Sequence, residues 1–168
     1  SHIIIYAVRS VTKNLHPNQT WVESTQTDRV TAIGSDGFTL GADANYGINQ
    51  SSHTFVAWCW KESATAGFDI VAYSGSGSSA DISHSLSAVP ELIFTKGRTI
   101  VQQWFVFTAT AGSQKAIFLD TDSAVSTQAS AYDAAPTSSV INYGNDSAVN
   151  GSGNTYVAYL WRSVQGFS

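Results

Sequence analysis

The sequence contains two closely similar stretches, and this internal similarity limits the possible folds more than any other feature. HTFVAWCWK occupies residues 53–61, and NTYVAYLWR occupies residues 154–162, 101 positions later. At the same separation, the apolar run at 3–6 falls on the aromatic run at 104–107. Similarity at a fixed period indicates a repeat architecture, here with a period of about one small β-domain.

The repeat predicts two units of unequal length. Residues 65–168 contain one complete unit of about 100 residues, and residues 1–64 match the last two-thirds of such a unit. We therefore expect that the sequence belongs to a longer array or begins after a lost segment. We also expect the N-terminal part to pack onto the complete unit or to be completed by a neighbouring subunit. The reason is that sheet edges and apolar faces must be covered.

Alternation of side chains predicts an all-β fold, an antiparallel β-sandwich or jelly roll. Residues 53–60 and 155–161 have apolar side chains on both faces, which predicts strands covered on both sides and a buried Cys59. The GSDG sequence at 34–37 predicts a hairpin turn. Further strands are predicted from runs of aromatic and β-branched residues: GFDIVAY, PELIFTK, VQQWFVFT, KAIFLD and SSVINY.

Composition excludes several classes of protein. Charged residues make up 12% of the sequence, the net charge is −4, and Lys and Arg are scattered. A nucleic-acid-binding protein normally has a basic stripe, so we expect no nucleic acid partner. No apolar run is long enough to cross a bilayer, so we expect no membrane insertion.

No motif in the sequence predicts an enzyme. Asp120 and Asp122 are two positions apart, a spacing typical of a strand-end turn rather than of carboxylates placed across a sugar. The same pair would be a weak Ca²⁺ site. His84 is expected to be a hydrogen-bonded structural histidine, because the other histidines share no metal-ligand spacing with it. We therefore predict no catalytic residue, no metal site and no cofactor.

Several motifs of the complete unit occur in a fixed order: Gly-Phe at 67–68, Y-x-G-x-G at 73–77, I-x-H-x-L at 82–86, P-x-L-I…K-x-R at 90–98 and N-G-x-G-x-T-Y-V-A-x-x-W at 150–161. In this order they resemble a repeat module of tail-fibre and other virion proteins of bacteriophages, marine phages especially. The partial unit departs from the pattern, because GINQSSHTF at 47–55 lacks the glycines of the usual loop.

The resemblance implies a phage virion structural module, in a tail fibre, a tail or a capsid-attached protein. It would act in assembly, in host-surface attachment, or in both. The implied partners are other copies of itself in a homo-oligomer, other virion proteins and host-surface glycans. The implied location is the virion or the extracellular space. Fold-level likeness does not fix function.

The alternative is a carbohydrate-binding β-sandwich module of a secreted or adhesin protein. Sugars dock on exposed aromatic rings beside polar side chains, and the candidate rings are Trp21, Trp58, Trp104 and Tyr132. The other place for each of these rings is the core. Exposure in the folded protein separates the two, since a sugar site needs aromatic rings in an open groove with polar residues around it.

Overall fold

The computed structural model describes residues 2–43 and 47–166, which form an all-β structure with one short helix, so the predicted fold class is confirmed. The elements of these residues, in chain order, are β1 (Lys13–Asn14), β2 (Ser24–Thr25), β3 (Val30–Ile33), β4 (Phe38–Leu40), β5 (Phe68–Ser74), β6 (Ala80–Ser83), β7 (Leu92–Gly97), β8 (Phe105–Thr108), β9 (Lys115–Phe118), β10 (Ser126–Thr127), β11 (Val140–Tyr143), α1 (Ser147–Asn150) and β12 (Thr155–Trp161).

The main sheet has six strands in the order β10-β9-β8-β7-β12-β5, and neighbouring strands are antiparallel. β12 lies between β5 and β7. Its Tyr156 pairs with Tyr73 of β5 on one side and with Gly97 of β7 on the other. Because successive side chains of a strand point to opposite faces, β12 contributes side chains to both faces of this sheet.

One face of the main sheet packs against the two-stranded sheet of β6 and β11. Ala158 and Leu160 of β12 lie in this core together with Ile141 and Tyr143 of β11. Thr95 of β7 and Tyr143 join the two sheets by a buried hydrogen bond of 2.5 Å between their hydroxyl groups. The arrangement is a sandwich of two antiparallel sheets, as the sequence predicts.

The other face of the main sheet is covered by the N-terminal segment. Tyr6 and Leu15 are buried there against Val157 and Tyr159 of β12. Complete burial of a leucine side chain such as Leu15 contributes about 1.5–3 kcal/mol to stability. The prediction that 155–161 is a strand covered on both sides is therefore confirmed.

Five further predicted strands are present in the structure, and one is not. The five runs from GFDIVAY to SSVINY overlap β5, β7, β8, β9 and β11, so these predictions are confirmed. The turn at 34–37 joins β3 to β4 with a 2.8 Å bond from the Gly34 N–H to the Gly37 carbonyl. The strand predicted at 53–60 is wrong. None of these residues belongs to a strand, and Cys59, predicted to be buried, is exposed.

Candidate functional site

Residues 53–61, which we call the 53–61 segment, are the most unusual surface of the molecule. Four large apolar side chains are exposed there, Phe55 by 51%, Val56 by 75%, Trp58 by 76% and Trp60 by 60%. The segment makes no strand pairing within residues 2–43 and 47–166. Contiguous exposed apolar surface of this kind marks an interaction site in a soluble protein.

The C-terminal end of the 53–61 segment borders a groove of about 410 Å³. Trp60 forms one side of the groove, and Trp161 and Arg162 from the end of β12 lie on another. Phe68 connects the two tryptophans, because its ring centroid is 6.5 Å from that of Trp60 and 5.0 Å from that of Trp161. The groove thus combines an exposed indole with a partly buried one.

Polar groups hold the rim of this groove in place. The carboxylate of Glu91 accepts bonds from the hydroxyl of Ser163, at 2.7 Å, and from its main-chain N–H, at 3.3 Å. These hydrogen bonds favour the charged form and hold the pKa of Glu91 below its usual value. Arg162 donates through Nη2 to the carbonyl of Ala64 at 2.8 Å, which fixes the turn before β5.

A second cleft, of about 370 Å³, lies beside the outer edge of β5. Glu62 and Asp69 are neighbours in it, and burial followed by the Asp69 charge raises the pKa of Glu62. Both carboxylate oxygens of Asp69 already accept main-chain hydrogen bonds, which leaves less of their acceptor capacity for a ligand. Oδ2 accepts the N–H of Ser85 at 2.6 Å, and Oδ1 accepts the N–H of Ile70 at 2.9 Å.

His84 also lines this second cleft, and both nitrogens of its ring form hydrogen bonds to the main chain. Nε2 lies 3.2 Å from the carbonyl of Thr137, and Nδ1 lies 3.3 Å from the N–H of Leu86. A neutral ring protonated on Nε2 satisfies both contacts, since Nε2–H donates and Nδ1 accepts. Asp120 has a similar structural role, because its Oδ1 accepts the main-chain N–H of Trp104 at 3.1 Å.

The four candidate sugar-stacking rings divide into two pairs. Trp21 and Trp58 are exposed by 56% and 76%, and no ring contact joins them within the described part of the chain. Trp104 and Tyr132 are fully buried, so their assignment to a binding surface is wrong. Their rings are packed in the two cores, where no face is open to a sugar.

Trp60 is the groove residue that sequence reasoning placed in a core. No local signal marks its exposure, because residues 53–60 have the same alternation as the buried strand β12. Among the described residues, no group of three or more His, Cys, Asp or Glu side chains is arranged to hold a metal ion. Within residues 2–43 and 47–166, no helix is long and apolar enough to cross a membrane.

Comparison with known proteins places the chain in a family. The family model described as "Domain of unknown function (DUF7483)" matches residues 1–168. The chain belongs to this family. No curated protein and no solved structure matches it.

Proposed function

We propose that this chain is a structural module of a bacteriophage virion, in a tail fibre, a tail or a capsid-attached protein. It acts in assembly, in attachment to the host surface, or in both, without catalysis. The motif order from Gly67 to Trp161 supports the phage context. The single observation that carries an assembly role is the 53–61 segment, whose exposed apolar side chains favour burial against another subunit.

The assembly role is tested by sedimentation velocity over a wide range of protein concentration. We expect the wild type to self-associate as concentration rises, and the variant Val56→Ser/Trp58→Ser to remain monomeric. Val101→Ser is the matched control, because Val101 is 64% exposed and lies outside the segment. Equal association of the wild type and the double variant would show that this surface does not drive assembly.

The virion origin has a separate test. Mass spectrometry of purified phage particles is expected to find peptides of this chain in a fixed ratio to the other particle proteins. Detection in the infected-cell lysate but not in particles washed at high salt would contradict it.

Carbohydrate binding is the second candidate, and the groove between Trp60 and Trp161 favours it. Its aromatic rings have Glu91, Arg162 and Ser163 beside them, which supply hydrogen-bonding groups for sugar hydroxyls. Titration with a panel of oligosaccharides, followed by tryptophan emission, tests this function. Trp60→Ala is expected to abolish binding and Trp21→Ala to preserve it. Binding that survives Trp60→Ala would place the sugar elsewhere.

A further inference from the structure

The chain begins to pair with the outer edge of β5 just before that strand starts. Within the described ranges, β5 pairs with β12 on one edge and with no strand on the other. At this open edge, Ser63 and Phe68 form an antiparallel bridge. The Ser63 N–H donates to the Phe68 carbonyl at 2.9 Å, and the Phe68 N–H donates to the Ser63 carbonyl at 3.2 Å. The residues before Ser63 therefore approach β5 in the direction that an antiparallel partner requires.

The bridge fixes the register of any further pairing. Continued in steps of two residues, it places Lys61 opposite Ile70 and Cys59 opposite Ala72. These pairs would exchange main-chain hydrogen bonds as the bridge residues do, because the main-chain groups of a strand point to the same edge at every second residue. Residues 57–61, the C-terminal part of the 53–61 segment, therefore match the length of β5 that is open on this side.

The same register turns two exposed tryptophans towards the second cleft. Trp60 would lie opposite Val71, and Trp58 opposite Tyr73. Directly opposed side chains of an antiparallel pair share a face, and Val71 and Tyr73 both pack against the core between the two sheets. Val71 also lines the cleft of about 370 Å³. Pairing would thus cover indoles that are now 60% and 76% exposed, and residues 54–60 bring no charged side chain with them.

Two features keep the segment off this edge in the described structure. The N–H of Ile70, the first open donor beyond the bridge, already donates to Oδ1 of Asp69 at 2.9 Å. Continued pairing would also place Glu62 opposite Asp69, and both carboxylates line the second cleft. Like charges directly opposite each other destabilise a strand pair. Asp69 is held in place, because its Oδ2 accepts the N–H of Ser85 at 2.6 Å.

We propose that residues 57–61 dock along the outer edge of β5 as an additional strand when Glu62 is protonated, and that loss of this proton releases them. The protonated carboxyl of Glu62 donates to Asp69, which removes the repulsion between the two groups. Oδ1 of Asp69 then gives up the N–H of Ile70, which donates to the carbonyl of Lys61 instead. The proposal names a regulation of the assembly surface, and only this consequence rests on the proposed assembly function.

Few other charged or titratable groups face Glu62. Asp69 faces it from β5, and His84, which follows β6, lines the same cleft with both ring nitrogens bonded to the main chain. Tyr6 of the N-terminal segment also senses its charge, but burial raises the pKa of Tyr6 to about 12, so this ring stays neutral in acid. Lys61 is adjacent in sequence, and in the docked register its side chain points to the opposite face.

Acidification is expected to favour docking. Burial and then the Asp69 charge already raise the pKa of Glu62 in the released state. Docking encloses this carboxyl further beside Asp69, so the docked state binds the proton more tightly than the released state does. The docked fraction therefore rises as the pH falls through the titration of Glu62, and it falls again as the pH is raised.

The test is amide hydrogen exchange, resolved by residue with nuclear magnetic resonance, at a concentration where the protein is monomeric. Between about pH 7 and about pH 4, we expect the protection of the Cys59, Lys61 and Ala72 amides to rise by about tenfold or more, after correction for intrinsic exchange. Glu62→Gln should protect these amides at both pH values, because a carboxamide donates the same hydrogen bond without a charge. Asp122→Asn removes an exposed carboxylate between β9 and β10, and this control should respond like the wild type.

Three results would overturn the proposal. The first is no rise in protection of the wild type in acid, and the second is full protection of the wild type already at neutral pH. The third is a rise in Glu62→Gln equal to that of the wild type, which would assign the response to another group such as His84. Circular dichroism shows whether the main sheet stays folded in acid. If it does not, Glu62→Gln at neutral pH decides alone: protected amides support the proposal, and unprotected amides overturn it.

Docking would withdraw Trp58 from the assembly surface. In sedimentation velocity at neutral pH, Glu62→Gln should therefore self-associate less than the wild type does. Equal association of the two, with protected amides in Glu62→Gln, would overturn the proposed regulation. If Val56→Ser/Trp58→Ser associates like the wild type, the assembly function itself fails, whereas amide exchange still decides whether residues 57–61 dock on β5.

Discussion

The indole N–H of Trp104 donates a 2.9 Å hydrogen bond to the main-chain carbonyl of His16. Trp104 directly precedes β8 of the main sheet, and His16 follows the buried Leu15 of the N-terminal segment. The bond therefore fixes the segment to the sheet at a fully buried position. It also explains why an aromatic residue that the sequence offers as a sugar ligand is a structural residue.

Replacing Trp104 by Phe is expected to destabilise the protein by about 1–3 kcal/mol, because the His16 carbonyl is left without its donor and the smaller ring leaves a gap. The measurement is equilibrium unfolding in urea, followed by far-ultraviolet circular dichroism. Trp21→Phe is the control and should change the free energy of unfolding by less than about 0.5 kcal/mol, since Trp21 is 56% exposed. Equal effects of the two variants would contradict the buried position of Trp104.

Substitution of Glu23 is expected to lower the stability of the protein more than its polar sequence context indicates. Its carboxylate contacts the buried guanidinium of Arg9 and accepts bonds of 3.1 and 3.2 Å from Arg98. Glu23→Gln leaves the charge of Arg9 buried without a counterion, which costs about 3–5 kcal/mol. Glu91→Gln removes an exposed carboxylate and should lower the unfolding midpoint much less than Glu23→Gln does. Thermal unfolding of the two variants distinguishes them, and similar midpoints would show that Arg9 is hydrated.

The sequence predicts six of the strands of the C-terminal half, where each strand has its partners within the same half of the chain, and it misses the short strands β6 and β10. β5, β7, β8, β9, β11 and β12 are all found in runs with strong alternation. Residues 53–60 have the same alternation as β12 and form no strand. Alternation reports which side chains share a face, whereas a strand also needs neighbours to bond its main chain, and no local pattern encodes those neighbours.

The exposure of the candidate site residues is equally difficult to predict from local sequence. Trp104 and Trp58 are both large rings in apolar contexts, yet the first is fully buried and the second is 76% exposed. Tertiary packing makes the difference, because the N-terminal segment covers Trp104, whereas no part of the described chain covers Trp58. The groove at Trp60 arises because the end of β12 comes beside it, a proximity of residues about a hundred positions apart that sequence spacing does not reveal.

Lys96 is expected to make stability depend on pH in the alkaline range. Its buried ammonium donates to the carbonyls of Thr20 and Gly97, and burial lowers its pKa to about 8. In the unfolded chain the pKa returns to about 10.4. Between these values the unfolded chain binds the proton that the folded protein has lost, so the free energy of unfolding rises from about pH 8 to about pH 10.

Buried tyrosines reverse this trend at higher pH. Burial raises the pKa of Tyr6 and of Tyr143 to about 12, so above about pH 10 the unfolded chain ionises first and stability falls. Urea unfolding across this range should therefore show a maximum near pH 10. Lys96→Met should remove the rise and keep the fall. A rise that persists in Lys96→Met would assign it to another group.

Trp60 and Trp161 provide the sharpest contrast between two similar sequences. Trp161 packs with Phe68 at 5.0 Å and Phe94 at 4.9 Å, whereas Trp60 is 60% exposed and contacts Phe68 at 6.5 Å. At a concentration where the protein is monomeric, Trp161→Ala should lower the free energy of unfolding by about 3 kcal/mol. Trp60→Ala should lower it by less than about 1 kcal/mol. Urea unfolding followed by circular dichroism measures both without relying on tryptophan emission. A loss of about 3 kcal/mol in Trp60→Ala as well would mean that the 53–61 segment is already docked in the monomer. Its side chains would then not be available to a second copy.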